Sequence, residues 1–225
     1  MHSIPNIAVP TIAIEGSDAR FPVRRIFCVG QNYADHAREM GSDPDRAPPF
    51  FFTKPADAVV ANGAVLPFPP RTDNLHHEVE LVVALASGGS DLSPDEAVQA
   101  VFGWTVGIDL TRRDLQAEAK KAGRPWDMAK GFDHSAPTGS LLRGTPPAKG
   151  AIRLSVDGEQ RQSGDLSEMI WTVPEIIATL STFVVLAPGD LIFTGTPSGV
   201  GPIRKGQVVE AVIEGAAPLT LSFAT

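Results

Sequence analysis

The sequence predicts a strand-dominated α+β fold, and three observations carry that expectation. The 225 residues include 21 Gly and 20 Pro, a turn-rich composition that suits many short strands better than a helical bundle. Apolar segments rich in Val, Ile and Leu recur at strand length between turn residues. Helix starts, by contrast, are few.

In chain order, Arg25 to Val29 is the first strand expected, with the lone cysteine, Cys28, inside it. One cysteine excludes an intramolecular disulfide, and its apolar setting suits a buried strand residue better than a reactive thiol. Asn32 with Asp35 opens a short helix that ends near Gly41. Glu78 to Ala86 is a long apolar strand. The run Ser93-Pro94-Asp95-Glu96 then starts a packing helix. Its polar side chain satisfies the first free N–H groups, its proline suits the first turn and its acid answers the helix dipole.

Thr105 to Leu110 is a further strand, and Thr111 with Asp114 caps a helix that stops at Gly123. Ile152 to Val156 returns to the strand pattern. Thr172-Val173-Pro174-Glu175 repeats the helix-start arrangement before Ile176, Ile177 and Leu180. Asp190 to Thr194, Gln207 to Ile213 and Leu219 to Phe223 complete the strands. The proline-rich stretches Pro67 to Thr72 and Gly144 to Gly150 are surface connections, and no linker is long enough to separate domains.

Charge narrows the partners. With 19 Lys plus Arg against 26 Asp plus Glu, the net charge is -7, and basic residues run no longer than pairs. That leaves no electrostatic footprint for nucleic acid or an anionic membrane. The stretch Ile7 to Ile14 is short, lacks a cationic flank and is broken by Pro10, so it fails as a signal peptide. No apolar run is long enough to span a bilayer. A cytoplasmic protein is expected.

Several clusters could carry chemistry. Glu78 and Glu80 sit two apart at the mouth of an apolar strand, so the strand period points both to one face. Like charges that close raise each other's pKa unless a cation lies between them. Asp109 ends another apolar run and adds a third carboxylate at a strand terminus. Three hard oxygen ligands suit a divalent ion such as magnesium that keeps positions open for substrate oxygens. The alternative is a solvated strand end.

His36 and Glu39 lie at i and i+3, neighbours on one helical face, where a carboxylate beside an imidazole makes a general base. A surface pair without a role has the same spacing. Lys130 follows Trp126 and precedes Phe132, which places its ammonium either among apolar walls or at the surface. The run Thr194 to Gly201 fits neither the P-loop nor the dinucleotide template. It reads as a hairpin turn, or as a flexible backbone whose N–H groups and Thr196 hydroxyl approach an anion.

In order and spacing these segments resemble the fumarylacetoacetate hydrolase superfamily, in its small single-domain branch. The matching pieces are Cys28 to Tyr33 with His36 and Glu39, Thr53-Lys54-Pro55, and His77 to Glu80. They continue with Gly107 to Thr111, Pro125-Trp126 with Lys130, Gly189-Asp190, and Thr194 to Pro197. The resemblance runs from Phe21 to the end, which makes residues 1–20 an N-terminal extension and 21–225 a single catalytic domain. It implies the family's mixed β-roll, a homodimer, and a small-molecule 2-oxo acid substrate.

The resemblance also implies roles. Glu78, Glu80 and Asp109 would hold Mg2+ or Mn2+, while Lys130 and Thr196 would bind the 2-oxo acid or its oxyanion. Gln116 would line the pocket, and His36 with Glu39, on a lid, would activate water. Gln31 stands where many members carry Arg or Lys, which changes whatever contact that position makes to substrate. The fullest likeness within the superfamily is to the bacterial fumarylpyruvate hydrolases, through Phe21 to Arg25, Pro48 to Phe52 and Lys54 to Ala58. The activity implied is metal-dependent hydrolysis of a carbon–carbon bond in a 2,4-dioxo acid, fumarylpyruvate giving fumarate and pyruvate. General acylpyruvate hydrolysis and oxaloacetate decarboxylation are the alternatives.

Overall fold

In the computed structural model, which describes residues 6–39 and 48–225, strands dominate and helices only connect them. The largest sheet runs in the order Leu142–Arg143, Val101–Ile108, Val79–Leu85, Asp190–Phe193, Arg25–Gly30, Phe50–Lys54. Its pairs are antiparallel except Asp190–Phe193 against Arg25–Gly30. A five-stranded sheet runs Glu159–Asp165, Ala151–Val156, Val208–Ile213, Leu219–Phe223, Val65–Leu66. A three-stranded sheet, Thr111–Arg112, Leu75–His77 and Gly201–Ile203, closes one end of the Val79–Leu85 strand.

The central strands are buried on both faces, as their largely apolar sequence requires. Along Val79–Leu85, the side chains of Leu81, Val83 and Leu85 join a core that includes Ile152, Leu154 and Val156 of the five-stranded sheet. Val82 and Ala84 point the other way, into a second core with Ile26, Cys28, Leu191 and Phe193. The hairpin Thr11–Ile14 and Ser17–Pro22 covers that second core with Ile12, Ile14 and Phe21. Among the described residues no helix is long and apolar enough to cross a membrane.

Most expected elements are present, with informative differences. The strand expected from Glu78 is split into Leu75–His77 and Val79–Leu85, with Glu78 as the break between two sheets. Ser93 caps the Pro94–Ala100 helix with a complete capping box, and Glu175 accepts from the Thr172 N–H at 2.9 Å before Val173–Ser181. Thr111 is not a cap: the helix is Arg113–Ala122, and Asp114 instead accepts from Thr72 Oγ1 and from the Asp73 and Leu115 N–H groups. Gly123 ends that helix in the left-handed region at φ 61°, as its sequence position suggests. Asn32 does not cap Ala34–Glu39 either. Its amide ties Trp171 and Thr194 to the Arg25–Gly30 strand end, and Gly41, the stop expected for this helix, lies outside the described residues.

Candidate active site

Sheet register assembles the three carboxylates. Val79 pairs with Ile108 and Glu80 with Gly107, and one residue further the Asp109 N–H donates to the Glu78 carbonyl at 2.8 Å. Alternation then puts Glu78, Glu80 and Asp109 on one face, where ligand oxygens of all three lie within 4.8 Å of one another. Opposite Glu80, Gly107 lets Val82 and Phe193 pack directly over the strand, since a Cβ there would meet Val82 Cγ2 at 2.5 Å and Phe193 at 2.9 Å. All three acids are buried, at 4%, 2% and 0% exposure, so the solvated strand end is excluded.

Buried cations oppose them. Lys130 Nζ, 2% exposed, donates to Glu78 Oε2 at 2.8 Å, Asp109 Oδ2 at 2.7 Å and Thr111 Oγ1 at 2.6 Å. Lys54 Nζ lies 2.8 Å from Asp109 Oδ1 but spends its hydrogen bonds on the Leu110 and Lys130 carbonyls. Arg113 Nη2 pairs with Glu78 Oε1. Burial opposes ionisation of Glu78, yet Lys130 and Arg113 outweigh it and hold this carboxyl below the usual range. Among the described residues no cation forms an ion pair with Glu80. Burial, Asp109 and Glu78 together push its pKa well above the ordinary value, against the hydrogen bond from the Gly195 N–H at 2.8 Å and the more distant Lys130 charge.

This donor set fits a hard divalent ion. The three ligands are all carboxylate oxygens. Among the described residues, Asp109 Oδ1 is buried with no hydrogen-bond donor, since the Lys54 contact lies outside hydrogen-bond geometry. Burial and its two carboxylate neighbours disfavour the charged form of Glu80, which an added cation would favour.

Glu78 and Glu80 open onto a pocket lined also by Gln31, His36, Gln116 and Lys130 among others, with Thr196 on its wall. The chain from residue 25 to 223 matches the family model described as fumarylacetoacetate (FAA) hydrolase, C-terminal. This chain belongs to the fumarylacetoacetate hydrolase family. A Ralstonia fumarylpyruvate hydrolase is 43% identical over 175 residues, covering 77% of this chain and 91% of its own. A mitochondrial oxaloacetate tautomerase of Arabidopsis thaliana is 41% identical over 194 residues, covering 85% and 86%. Among solved structures, the fumarylpyruvate hydrolase of Pseudomonas aeruginosa in complex with Mn2+ and pyruvate superimposes with a TM-score of 0.96 at 48% identity, covering 100% of this chain and 99% of its own.

Within this family member, the other residues singled out by sequence sit as follows. His36 is 6% exposed, and its Nδ1 lies 3.2 Å from Glu39 Oε2. Glu39 also accepts from the Gly199 N–H at 3.2 Å, which ties the short helix to the glycine-rich loop. Gln116, 4% exposed, accepts from Arg113 Nη1, so the two act as one unit on the pocket wall. Gln31 adopts φ 58° at the end of the Arg25–Gly30 strand. All three donors of Lys130 are already engaged, so a bond to a substrate oxygen must replace one of them.

Sequence reasoning missed Lys54, Arg113, Lys120 and Gln162. Lys54 was visible in the Thr53-Lys54-Pro55 match, but nothing in its spacing ties it to Asp109. Lys120 lines the pocket one helical turn beyond Gln116, and that i, i+4 spacing was a readable signal.

Proposed function

We propose that this protein hydrolyses a carbon–carbon bond in a 2,4-dioxo acid, with fumarylpyruvate as substrate and fumarate and pyruvate as products. The observation that carries the reading is one pocket lined by the His36 imidazole, two of the clustered carboxylates and Lys130. A base for water therefore faces a chelating site across one pocket.

Charge supports a dianionic substrate. Glu78, Glu80 and Asp109 face Lys54, Lys130 and Arg113, three against three. A divalent ion added alone would leave two surplus positive charges, which a 2-oxo dicarboxylate cancels. Held by Glu78, Glu80 and Asp109, Mg2+ or Mn2+ would supply Lewis-acid polarisation of the 1-carboxylate and 2-oxo oxygens.

The protein's own groups account for the remaining chemistry. Glu39 accepts from His36 Nδ1–H and leaves Nε2 with its lone pair. Nε2 takes a proton from water, and the oxygen attacks the C4 carbonyl. Lys130 donates to the oxyanion at C4. Burial disfavours its ammonium, but Asp109 and Glu78 more than offset this and raise its pKa, so it remains a donor. The C3–C4 bond then breaks with its electron pair passing to C3, which takes the proton held on His36 Nε2, and fumarate departs. Lys120 at the pocket wall takes the distal carboxylate.

A second reading is favoured by the oxaloacetate tautomerase relatives, which match about as closely. Oxaloacetate is also a dianion, and His36 would move a proton between C3 and the 2-oxo oxygen with no water consumed. The test is a panel of fumarylpyruvate, other acylpyruvates and oxaloacetate, with fumarate, pyruvate, carbon dioxide and the enol each quantified. Fumarylpyruvate cleavage as the highest kcat/KM supports the proposal. Fast oxaloacetate tautomerisation or decarboxylation without acylpyruvate cleavage overturns it.

A further inference from the structure

Gln162 stands at the centre of a buried network that no part of the chemistry above uses. It lies on the Glu159–Asp165 strand of the five-stranded sheet at 0% exposure, and all of its amide capacity is spent. Oε1 accepts from the Val79 N–H at 3.1 Å and contacts His77 Nδ1 at 2.9 Å. Nε2 donates to Thr196 Oγ1 at 2.8 Å and to the Pro197 carbonyl at 2.9 Å.

Those partners leave the amide one orientation. The Val79 N–H can only donate and the Pro197 carbonyl can only accept, so a flipped amide would oppose donor to donor and acceptor to acceptor. Thr196 Oγ1 must therefore accept from Gln162. Its own hydrogen has no acceptor among the described residues, and Thr196, 2% exposed, lines the site pocket. The strand and loop also sit as close as backbones allow. A Cβ at Gly199 would meet the Arg161 carbonyl at 2.2 Å, and one at Gly164 would meet Pro197 Cβ at 2.8 Å.

We propose that Gln162 is a positioning residue for this site: by donating to Thr196 Oγ1, it commits the Thr196 hydroxyl to donate into the pocket, to a carboxylate or oxyanion oxygen of the substrate. Val79 stands between Glu78 and Glu80, so the same amide registers the chelating strand against the donor. This inference rests on the 2-oxo acid reading of the pocket.

The test measures Mn2+ affinity, oxalate affinity at saturating Mn2+, and thermal melting, by calorimetry, for wild type, Gln162→Met, Thr196→Val and the double variant. Each single variant should bind oxalate about 10-fold more weakly, the scale of one hydrogen bond to a charged group. The double should be no weaker than either single, because both remove the same donor. Mn2+ affinity should stay within about 2-fold of wild type, although Gln162→Met melts lower with the Val79 N–H unpaired. If Gln162→Met does not fold, Gln162→Glu takes its place, since it keeps the acceptor for Val79 and His77 but cannot donate to Thr196 when ionised.

Wild-type oxalate affinity in Thr196→Val or in the folded Gln162 variant overturns the proposal. So does a double variant about 100-fold weaker than wild type, the product of two independent effects. If wild type with Mn2+ fails to bind oxalate at all, the 2-oxo acid reading of the pocket is itself wrong.

Discussion

Glu39 links the His36 imidazole to the Gly199 backbone: its carboxylate lies 3.2 Å from His36 Nδ1 and accepts the Gly199 N–H at 3.2 Å. One acid thus orients the imidazole and fastens its helix to the loop that carries Thr196. Glu39→Gln has only one acceptor oxygen to serve two donors. It should lower the kcat of fumarylpyruvate hydrolysis by ~10- to 100-fold and speed hydrogen exchange at the Gly199 amide. Unchanged kcat would reduce the pair to a helix contact.

Glu80→Gln should weaken Mn2+ binding by roughly 100-fold, as expected for the loss of a ligand charge. It should also raise the melting temperature of the metal-free protein. The folded-state pKa of Glu80 is raised above its ordinary value of 4.5, so between the two the folded state holds a proton that the unfolded chain has released. Stability of the metal-free protein therefore falls as pH rises through that window. The amide variant should gain most at neutral pH and lose its advantage below pH 4.5. Melting curves from pH 4 to 8 check the sign, and a lower melting temperature at pH 7 would contradict it.

Register made part of this site legible and hid the rest. Glu78 and Glu80 could be read because a strand alternates faces, and Asp109 because it ends an apolar run. Their joint burial could not be read, since no local pattern shows that Lys54, Lys130 and Arg113 come in from separate elements to oppose them. The Glu159–Asp165 strand was missed for a related reason. Its residues are polar and mostly exposed on an outer strand, and the one buried side chain, Gln162, is itself polar. Thr111 and Asn32 looked like helix caps because both are cap-forming types before a helix. Tertiary demands took them instead, the Lys130 ammonium for Thr111 and the Trp171 and Thr194 backbone for Asn32.

Cys28 should resist alkylation in the native protein. It is buried at 0% exposure, and burial together with the Asp109 charge pushes its thiol well above the ordinary pKa of 9.0. Little thiolate is present at neutral pH to react. A thiol reagent should label the native protein slowly and the denatured protein at one site per chain, matching its single cysteine. Rapid native labelling would show that this strand opens far more readily than its packing implies.

Lys120→Ala should separate long from short substrates. Lys120 is exposed, lies one turn beyond Gln116 and shares the pocket wall with it, so its ammonium is placed to meet a carboxylate distant from the chelated end. The variant should raise KM for fumarylpyruvate by about 5- to 10-fold with kcat little changed, as expected when uniform binding is lost. An acylpyruvate without a second carboxylate should be affected much less. Equal effects on both would assign Lys120 to the general field of the pocket.

The central claim, that a metal-held 2-oxo acid is cleaved by water activated at His36, is tested most directly by product stoichiometry. Metal-stripped protein is given fumarylpyruvate with and without Mn2+, beside His36→Ala at saturating Mn2+, and fumarate and pyruvate are quantified together. Wild type with Mn2+ should release equal amounts of both, metal-stripped protein essentially none, and His36→Ala should be slower by ~100- to 10,000-fold. Full cleavage without metal, undiminished cleavage in His36→Ala, or no fumarate from a wild type that rapidly interconverts the keto and enol forms of oxaloacetate would contradict it.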